Sequence, residues 1–206
     1  MKNIDNARNL LALIDKEIDG IEFSSSDRNR ISGALFDIVL DHAKAIIVLF
    51  ENKIYASAFA LARPLFEGFV RASWLLNCAI DDDVNSVIEK DKFKFSFGEM
   101  LENVEKKKDW PATLTQAKKN VWNAMHSYTH GGLNQISRRI KSSTIEPVID
   151  EEEIDELICF SSLISFLSFS EMIKMSKASY KNEMLKKFME SIIEWCFNNA
   201  MERDKV

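Results

Sequence analysis

The apolar residues of this chain recur at a spacing close to the period of an α-helix along nearly its whole length, and no stretch alternates as a β-strand would. Only 6 Gly and 3 Pro occur among 206 residues, so few positions favour a break in a helix. We therefore predict an all-α fold, an up-and-down helical bundle of about six to eight helices. The length suits a single domain, with an N-terminal helix and loop at 1–25, a core bundle at 26–200 and a frayed tail at 201–206.

The periodicity predicts helices at 3–19, 27–50, 54–79, 111–129, 133–140, 150–178 and 181–200, with a broken helical segment at 84–108. Gly20 ends the first helix, and Ser24–Ser26 provide N-caps for the second. The charge run Glu105–Asp109 is interpreted as a solvated face, and Asp81–Asp83 as an acidic turn. The side chains predicted to point inward from the second helix are Ile31, Leu35, Ile38, Val39, His42, Ile46 and Leu49.

The composition argues against several classes of protein. The chain has 32 acidic and 27 basic side chains, and this balance does not suit a broad nucleic-acid-binding surface, although it allows a small basic patch. Cys78, Cys159 and Cys196 lie far apart in apolar stretches, as expected of buried thiols in a reducing compartment. The N-terminus lacks the apolar core of a signal peptide, and the longest apolar run, 157–169, is too short for a membrane span. We expect a cytoplasmic protein without a membrane segment or a cofactor.

The third predicted helix contains the segment YASAFALARPLFEGFVRASWLLNCA, which is apolar on all sides apart from three charges and a serine or two. A helix of this kind is buried in the centre of a fold. Pro64 has no backbone N–H and crowds the carbonyl group of Ala60, so a kink is expected between Ala60 and Arg63. Such a kink opens space inside the bundle.

Three charged residues of this helix, Arg63, Glu67 and Arg71, are spaced four residues apart and therefore share one face, with Trp74 three residues further along. Buried ions need partners, because an unpaired buried charge is strongly destabilising. Glu67 can pair with both arginines, which leaves a net positive charge and unused guanidinium donors. Two interpretations stay open: a salt-bridge ladder that fixes the helix register, or a pocket that recognises an anion such as phosphate or carboxylate.

The segment MHSYTHGGLNQ contains two of the three histidines, His126 and His130, which are four residues apart on one helical face. They are interpreted as a metal pair, as an acid/base pair, or as histidines that satisfy hydrogen bonds at a helix end. We predict no metal site, because the usual third carboxylate is not adjacent in the sequence. The double glycine Gly131-Gly132 permits close approach of a ligand or helix, or ends the helix as a C-cap.

Two blocks, ASAFALARPLFEGFVRASWLLNCA and WNAMHSYTHGGLNQISRRI, with the acidic stretch EPVIDEEEI, resemble a family of uncharacterised bacterial all-helical proteins known only as a domain of unknown function. The resemblance covers most of residues 35–160 and implies no activity. It implies that certain residues of the two blocks are characteristic of the family. These are Arg63, Glu67, Arg71 and Trp74 in the first block, and Tyr128, Thr129, His130 and Gln135 in the second.

A looser similarity is to the HEPN superfamily, helical bundles that include metal-independent ribonucleases of toxin-antitoxin and phage-defence systems and that act as dimers. Their signature is an Arg followed, after a short helical interval, by a His. Residues 123–125, before His130, contain no basic side chain, and among residues 119–121, before His126, only Lys119 is basic. The similarity therefore implies ribonuclease activity if Arg63 or Arg71 supplies the cation from the neighbouring helix.

We expect a buried pocket that binds a phosphate-bearing or nucleotide-like ligand, including RNA, in a homodimeric protein. The candidate catalytic residues are His130, Arg71, Arg63 and Glu67, and the candidate ligand contacts are Trp74, His126, Tyr128, Gln135 and Arg138. The expected enzyme is an HEPN-like ribonuclease of a phage-defence or toxin system. The alternatives are a non-enzymatic protein-interaction module, in which the charged stripe is only structural, and a metal-dependent hydrolase.

Overall fold

The computed structural model describes residues 2–176 and 182–198, which form a bundle of α-helices with one short β-hairpin. The first helices are α1 (Lys2–Ile18), α2 (Asp27–Glu51), α3 (Tyr55–Ala60), α4 (Ala62–Asn77) and α5 (Asp81–Lys90). The later elements are α6 (Phe97–Lys108), α7 (Thr113–Thr129), α8 (Leu133–Ser137), β1 (Ile140–Lys141), β2 (Thr144–Ile145), α9 (Glu151–Met175), α10 (Asn182–Ile193) and a π-helical turn (Glu194–Asn198). The predicted all-α fold is confirmed.

Helix ends lie where the sequence offers caps. The side chain of Ser26 accepts a hydrogen bond from the backbone N–H of Asn29 and caps α2. Gly20 follows α1 with a φ of +69°, in the left-handed region that favours glycine. The helices predicted at 3–19 and 27–50 therefore agree closely with α1 and α2. The predicted end of the last helix at residue 200 and the tail at 201–206 lie outside the described residues.

The central helix is broken at Leu61, as the proline predicts. α3 ends at Ala60 and α4 begins at Ala62, because Pro64 has no N–H to donate to the carbonyl group of Ala60. α4 then continues to Asn77, with fully buried side chains such as Phe69 on its apolar face.

The core lies where α2, α4 and α9 pack together, with α1, α6 and α10 around them. Gly68 allows α4 to approach α2 closely, because a Cβ atom at this position would lie 2.9 Å from Cγ2 of Val39. α9 buries serines beside its apolar side chains. The hydroxyl groups of Ser165 and Ser168 donate to carbonyl groups one turn earlier in α9, so these groups remain hydrogen-bonded in the core.

Three local predictions are wrong. Ile38, predicted to point inward from α2, is 46% exposed. Asp81–Asp83 form the first turn of α5 instead of a separate acidic turn, and their charges favour that helix N-terminus. The helix predicted at 133–140 ends at Ser137, and the hairpin of β1 and β2 follows. Strands of two residues are too short to produce a visible alternation in the sequence.

The charge run Glu105–Asp109 is only partly a solvated face: Lys106, Lys107 and Asp109 are exposed as predicted, but Glu105 and Lys108 are not. Glu105 is only 4% exposed, and its carboxylate accepts hydrogen bonds from the backbone N–H groups of Leu114 and Thr115 in the first turn of α7. Nζ of Lys108 lies 2.6 Å from Oε2 of Glu171, a buried residue of α9. These two side chains therefore fasten α6 to its neighbours.

α9 is the one helix among the described residues that is long and apolar enough to cross a membrane by length and composition. Of its most apolar window, 72% is buried inside the bundle. The apolar run at 157–169 is thus the middle part of a longer helix that is mostly buried in the core.

The three cysteines are half-buried instead of fully buried. Burial raises the pKa of the Cys78 thiol. Cys159 and Cys196 are distant in the sequence but meet between α9 and the π-helical turn, where a hydrogen bond with Cys159, together with burial, raises the pKa of Cys196. Cys78 and Cys196 are therefore poor nucleophiles near neutral pH.

Candidate functional site

One face of α4 carries the charged stripe. Nε of Arg63 donates to Oε1 of Glu67 at 2.7 Å, and Nη2 of Arg71 lies 3.1 Å from Oε2 of the same carboxylate. The side chain of Glu67 is 17% exposed, that of Arg63 is 22% exposed and that of Arg71 is 40% exposed. The stripe therefore lies partly buried at the edge of the bundle.

Glu67 uses both of its oxygens on the two arginines, so the stripe keeps one uncompensated positive charge. Nε of Arg71 is buried and has no hydrogen-bond partner in the described part of the chain. The guanidinium carbon of Arg71 lies 5.2 Å from the ring centroid of Phe93, within the range of a cation–π interaction. No second carboxylate among residues 2–176 and 182–198 forms an ion pair with either arginine.

The helix that carries the histidines, α7, contacts this stripe directly. Nη1 of Arg63 lies 2.5 Å from Nδ1 of His126. Arginine stays protonated and acts only as a donor, so Nδ1 of His126 is the acceptor and a neutral ring carries its proton on Nε2. Arg63 therefore connects Glu67 on its own helix with His126 on the neighbouring helix.

His126 and His130 lie one turn apart on α7, with ring centroids 4.5 Å apart, and both residues are exposed. His126 touches the stripe, whereas His130 is the C-cap residue of α7 and lies one turn further along. The pair presents two imidazole rings to solvent beside a guanidinium group. The two histidines were expected to line a buried pocket, but both are exposed at the surface.

The same side of α7 carries Lys118 and Trp122, which are not among the site residues predicted from the sequence. The guanidinium carbon of Arg63 lies 4.7 Å from the ring centroid of Trp122, and this indole stacks on Phe97 with ring centroids 4.5 Å apart. Nζ of Lys118 lies 5.7 Å from both ring centroids. A sequence signal for both residues exists, because positions 118, 122, 126 and 130 repeat every four residues.

We name this surface the α4–α7 face and define it by the residues that line it. They are Arg63, Glu67, Arg71, Lys118, Trp122, His126 and His130.

Trp74 does not line this face. It is 1% exposed and packs against Phe93 and Phe95, with ring centroids 6.4 and 5.8 Å away. A direct contact between Trp74 and a ligand, as expected from the sequence, is not compatible with this burial. Because Phe93 lies next to Arg71, Trp74 supports the α4–α7 face from the core.

The contacts of Tyr128 and Arg138 lie outside the α4–α7 face, and Gln135 lies beside the turn at Gly131. The ring of Tyr128 packs against Phe59, with centroids 5.1 Å apart, and lies 4.9 Å from the guanidinium carbon of Arg138. Arg138 donates to both carboxylate oxygens of Glu153, and the side chain of Gln135 donates to a backbone carbonyl group of α3. The residues expected in a single pocket therefore lie on two surfaces. Tyr128 projects from one side of α7, and the two histidines project from another.

Gly131 and Gly132 end α7 as a C-cap, which is one of the two roles that the sequence leaves open. Gly131 has a φ of +66°, and the N–H of Gly132 donates to the carbonyl group of Ser127 at 2.7 Å, a bond typical of the Schellman motif. A Cβ atom at Gly132 would lie 3.2 Å from Cα of Ser127. The chain itself thus occupies the space beside the second glycine.

The side chains of the α4–α7 face suit anions and proton transfer. Two guanidinium groups and one ammonium group offer donors only, and imidazole both donates and accepts protons near neutral pH. Within residues 2–176 and 182–198, no group of three or more His, Cys, Asp and Glu side chains is arranged to hold a metal ion.

The fold and this face define an all-α bundle protein in which a neighbouring helix brings two histidines to a partly buried Arg/Glu/Arg stripe. The chain belongs to a family of unknown function (DUF6988), whose sequence model matches residues 36–198. The matched range includes every residue of the α4–α7 face, and the resemblance to a family of unknown function is confirmed. No curated protein and no solved structure matches the chain.

Proposed function

We propose that this protein binds a phosphate-bearing, nucleotide-like ligand, including RNA, on the α4–α7 face. The observation that carries the proposal is the contact between Nη1 of Arg63 and Nδ1 of His126, which joins the cationic stripe to two exposed imidazole rings. Phosphate esters are recognised by guanidinium groups, because their planar donors match pairs of phosphate oxygens.

The charges and aromatic rings of the α4–α7 face favour a nucleotide as the ligand over a simple inorganic anion. Arg63 and Arg71 share a single carboxylate, that of Glu67, and Nζ of Lys118 lies over the ring of Trp122, although the whole chain has a formal charge of −5. This is a local basic patch on an acidic protein. The stacked rings of Trp122 and its neighbour lie among these cations, and nucleobases stack on aromatic side chains in proteins that bind single strands.

We further propose that the face cleaves RNA without a metal ion. His130 accepts the proton of a 2′-hydroxyl group while the 2′-oxygen attacks phosphorus, and a water molecule protonates the leaving 5′-oxygen as the P–O5′ bond breaks. The hydroxide that this leaves then takes the proton from the His130 imidazolium, so the ring returns to its starting state. His126, whose Nδ1 accepts from Arg63, holds that arginine in place. The products are a 2′,3′-cyclic phosphate and a 5′-hydroxyl end. Arg63 and Arg71 would stabilise the charge that develops on the phosphoryl oxygens, and Glu67 would orient both guanidinium groups.

This chemistry is that of an HEPN-like ribonuclease in which Arg63 replaces the arginine that the sequence lacks before His126. We propose that such an enzyme acts in the bacterial cytoplasm, in phage defence or as a toxin. Growth arrest on expression that disappears in the His130→Ala variant, at an equal level of folded protein, would support this role.

An RNA-cleavage assay in the presence of a metal chelator tests the proposal. We expect the protein to produce fragments with 2′,3′-cyclic phosphate ends, and we expect Arg63→Ala and His130→Ala to lower the rate by about 100-fold or more. Lys119→Ala removes one charge from an exposed position of α7 outside the face and serves as the matched control. Cleavage that is equal in all variants, or no cleavage by the unaltered protein, contradicts the enzymatic proposal.

We also propose a homodimer formed through the segment between α7 and α9. Apolar side chains that are exposed in this segment include Leu133 at 80% and Ile145 at 89%, and clustered exposed apolar groups are typical of interaction surfaces. We expect light scattering to give the mass of a dimer for the unaltered protein and of a monomer for Ile145→Ser. Ile88→Ser, at an exposed position of α5, is the control. A monomeric unaltered protein contradicts this proposal.

The same exposed segment favours a second candidate function, a protein-interaction module without enzymatic activity. In that case the stripe would only fasten α4 to α7. Arg63→Ala would then lower stability without changing any binding to RNA.

A further inference from the structure

A second surface lies on another side of α7. A cavity of about 200 Å³ is bounded by α3, α4, α7 and α9. Three aromatic side chains line it, Phe59, Tyr128 and Phe160, together with the carboxylates of Glu153 and Glu156. None of these residues belongs to the α4–α7 face.

The two carboxylates of the cavity differ in their partners. Glu153 is paired with Arg138, which donates to both of its oxygens. Glu156 lies three residues further along α9 and forms no ion pair with any residue in 2–176 or 182–198. The cavity therefore combines apolar walls with one negative charge that the described chain does not neutralise.

The environment of Tyr128 supports this electrostatic description. Burial raises the pKa of its hydroxyl group, the positive charge of Arg138 lowers it, and the negative charges of Glu153 and Glu156 raise it further. The net direction is upward, so the phenol is neutral over the physiological range of pH. Both carboxylates thus lie close enough to act on the ring that lines the cavity.

Aromatic walls with a nearby carboxylate suit an organic cation more than a metal ion. The faces of aromatic rings attract ammonium groups, and alkylated ammonium groups also lose apolar surface to the walls. A hard divalent cation would need six or more oxygen ligands, which two glutamates, one of them already paired, do not provide. The volume is below the range of about 300–1,000 Å³ typical of sites for drug-sized ligands, so the ligand must be small.

We propose that this cavity binds a small alkylated ammonium compound, with Phe59 and Phe160 beside the cationic group and Glu156 as its counter-ion. Tyr128, whose ring already contacts the guanidinium group of Arg138, completes the wall. This site goes beyond the proposed phosphate site, lies on a different surface and carries the opposite charge. Binding at one site does not require binding at the other.

Titration calorimetry with choline and with its neutral isostere 3,3-dimethyl-1-butanol tests the proposal on the full chain. The two compounds have nearly the same shape and differ in the positive charge. We expect saturable binding of choline in the millimolar range, and binding of the isostere about tenfold weaker or absent. Equal affinity for the two compounds, or no saturable choline binding in that range, overturns the proposal.

The variant Glu156→Gln tests the counter-ion. Its position is exposed, so the substitution is expected to leave the fold intact. We expect choline affinity to fall about tenfold in Glu156→Gln and to stay unchanged in Glu152→Gln, a neighbouring exposed position that does not line the cavity. Equal choline affinities of the two variants overturn the assignment of Glu156. RNA binding by Glu156→Gln, measured in parallel, should equal that of the unaltered protein, so failure here is distinguishable from failure of the phosphate site.

Discussion

Nη1 of Arg63 and Nδ1 of His126 lie 2.5 Å apart and join α4 to α7. Arg63 also donates to Glu67, which pairs with Arg71 in turn, so four side chains from two helices form one connected group. Because an arginine at this position can only donate, it fixes which nitrogen of His126 carries the proton when the ring is neutral. The contact therefore connects the cationic stripe of α4 to the helix that also carries His130.

The carboxylate of Glu67 is expected to stabilise the fold as well as to orient the arginines. We predict that Glu67→Gln lowers the free energy of unfolding by about 1–3 kcal/mol, because two partly buried guanidinium groups lose their charged partner. Urea denaturation measures the effect, with Glu102→Gln on the exposed side of α6 as the control. Equal stability of the two variants would show that the ion pairs of the stripe have no structural role.

The buried carboxylate of Glu171 predicts a dependence of stability on pH. Burial alone would raise its pKa, but the hydrogen bond and charge of Lys108, with help from Lys174 and Asn77, hold the pKa below the ordinary value. A carboxyl group with a lowered pKa stabilises the folded state above its unfolded pKa of about 4.3, and this stabilisation is lost as the pH falls through the folded pKa.

We therefore predict that Glu171→Gln is less stable than the unaltered protein at about pH 6 and that the difference shrinks as the pH falls below about 4.3. Urea denaturation at a series of pH values provides the measurement. Parallel curves for the two proteins over that range would argue against the assigned shift in pKa.

Two glycine-to-alanine substitutions are expected to change stability in opposite directions. Gly131→Ala should lower the free energy of unfolding by about 1 kcal/mol, because its φ of +66° is strained for an L-residue. Gly33→Ala should raise it by up to about 1 kcal/mol, because alanine favours the helix and its Cβ would lie 3.7 Å from Cε of Met175, an ordinary contact. Thermal denaturation compares them. An increase in stability for Gly131→Ala would refute the account of the α7 C-cap, and a decrease for Gly33→Ala would refute the account of α2.

Lys118 and Lys119 are adjacent on α7 but differ in their relation to the α4–α7 face. We predict that Lys118→Ala lowers the slope of log affinity for single-stranded RNA against log salt concentration by about 1, because one phosphate contact is lost. Lys119→Ala should leave the slope unchanged, because the exposed side chain of Lys119 lies outside the α4–α7 face. Equal slopes for the two variants would remove Lys118 from the proposed site.

The sequence predicts the helices and the stripe better than it predicts their surroundings. The break at Leu61 and the shared face of Arg63, Glu67 and Arg71 follow from local rules for proline and for helical spacing. The burial of Glu105 does not follow from such rules, because it depends on where the first turn of α7 docks against α6. The three lysines that follow Glu105 in the sequence are typical of an exposed helix end.

Which residues form the site could be predicted only in part, because this too depends on how the helices pack against one another. His126 reaches the stripe as the spacing suggests, but the family resemblance also grouped Tyr128 with the histidines, although it lies on a different side of α7. Trp122 lies beside Arg63, and the sequence feature that places it there is its spacing of four residues from His126.

Fluorescence anisotropy of a labelled single-stranded RNA, titrated with the unaltered protein and with the double variant Arg63→Ala and Arg71→Ala, tests the central claim most directly. Circular dichroism and urea denaturation establish that the variant is folded. We predict saturable binding by the unaltered protein and an affinity at least about tenfold lower for the double variant. Equal affinities of the two folded proteins, or no saturable binding by the unaltered one, would contradict the assignment of the α4–α7 face as a phosphate-binding site.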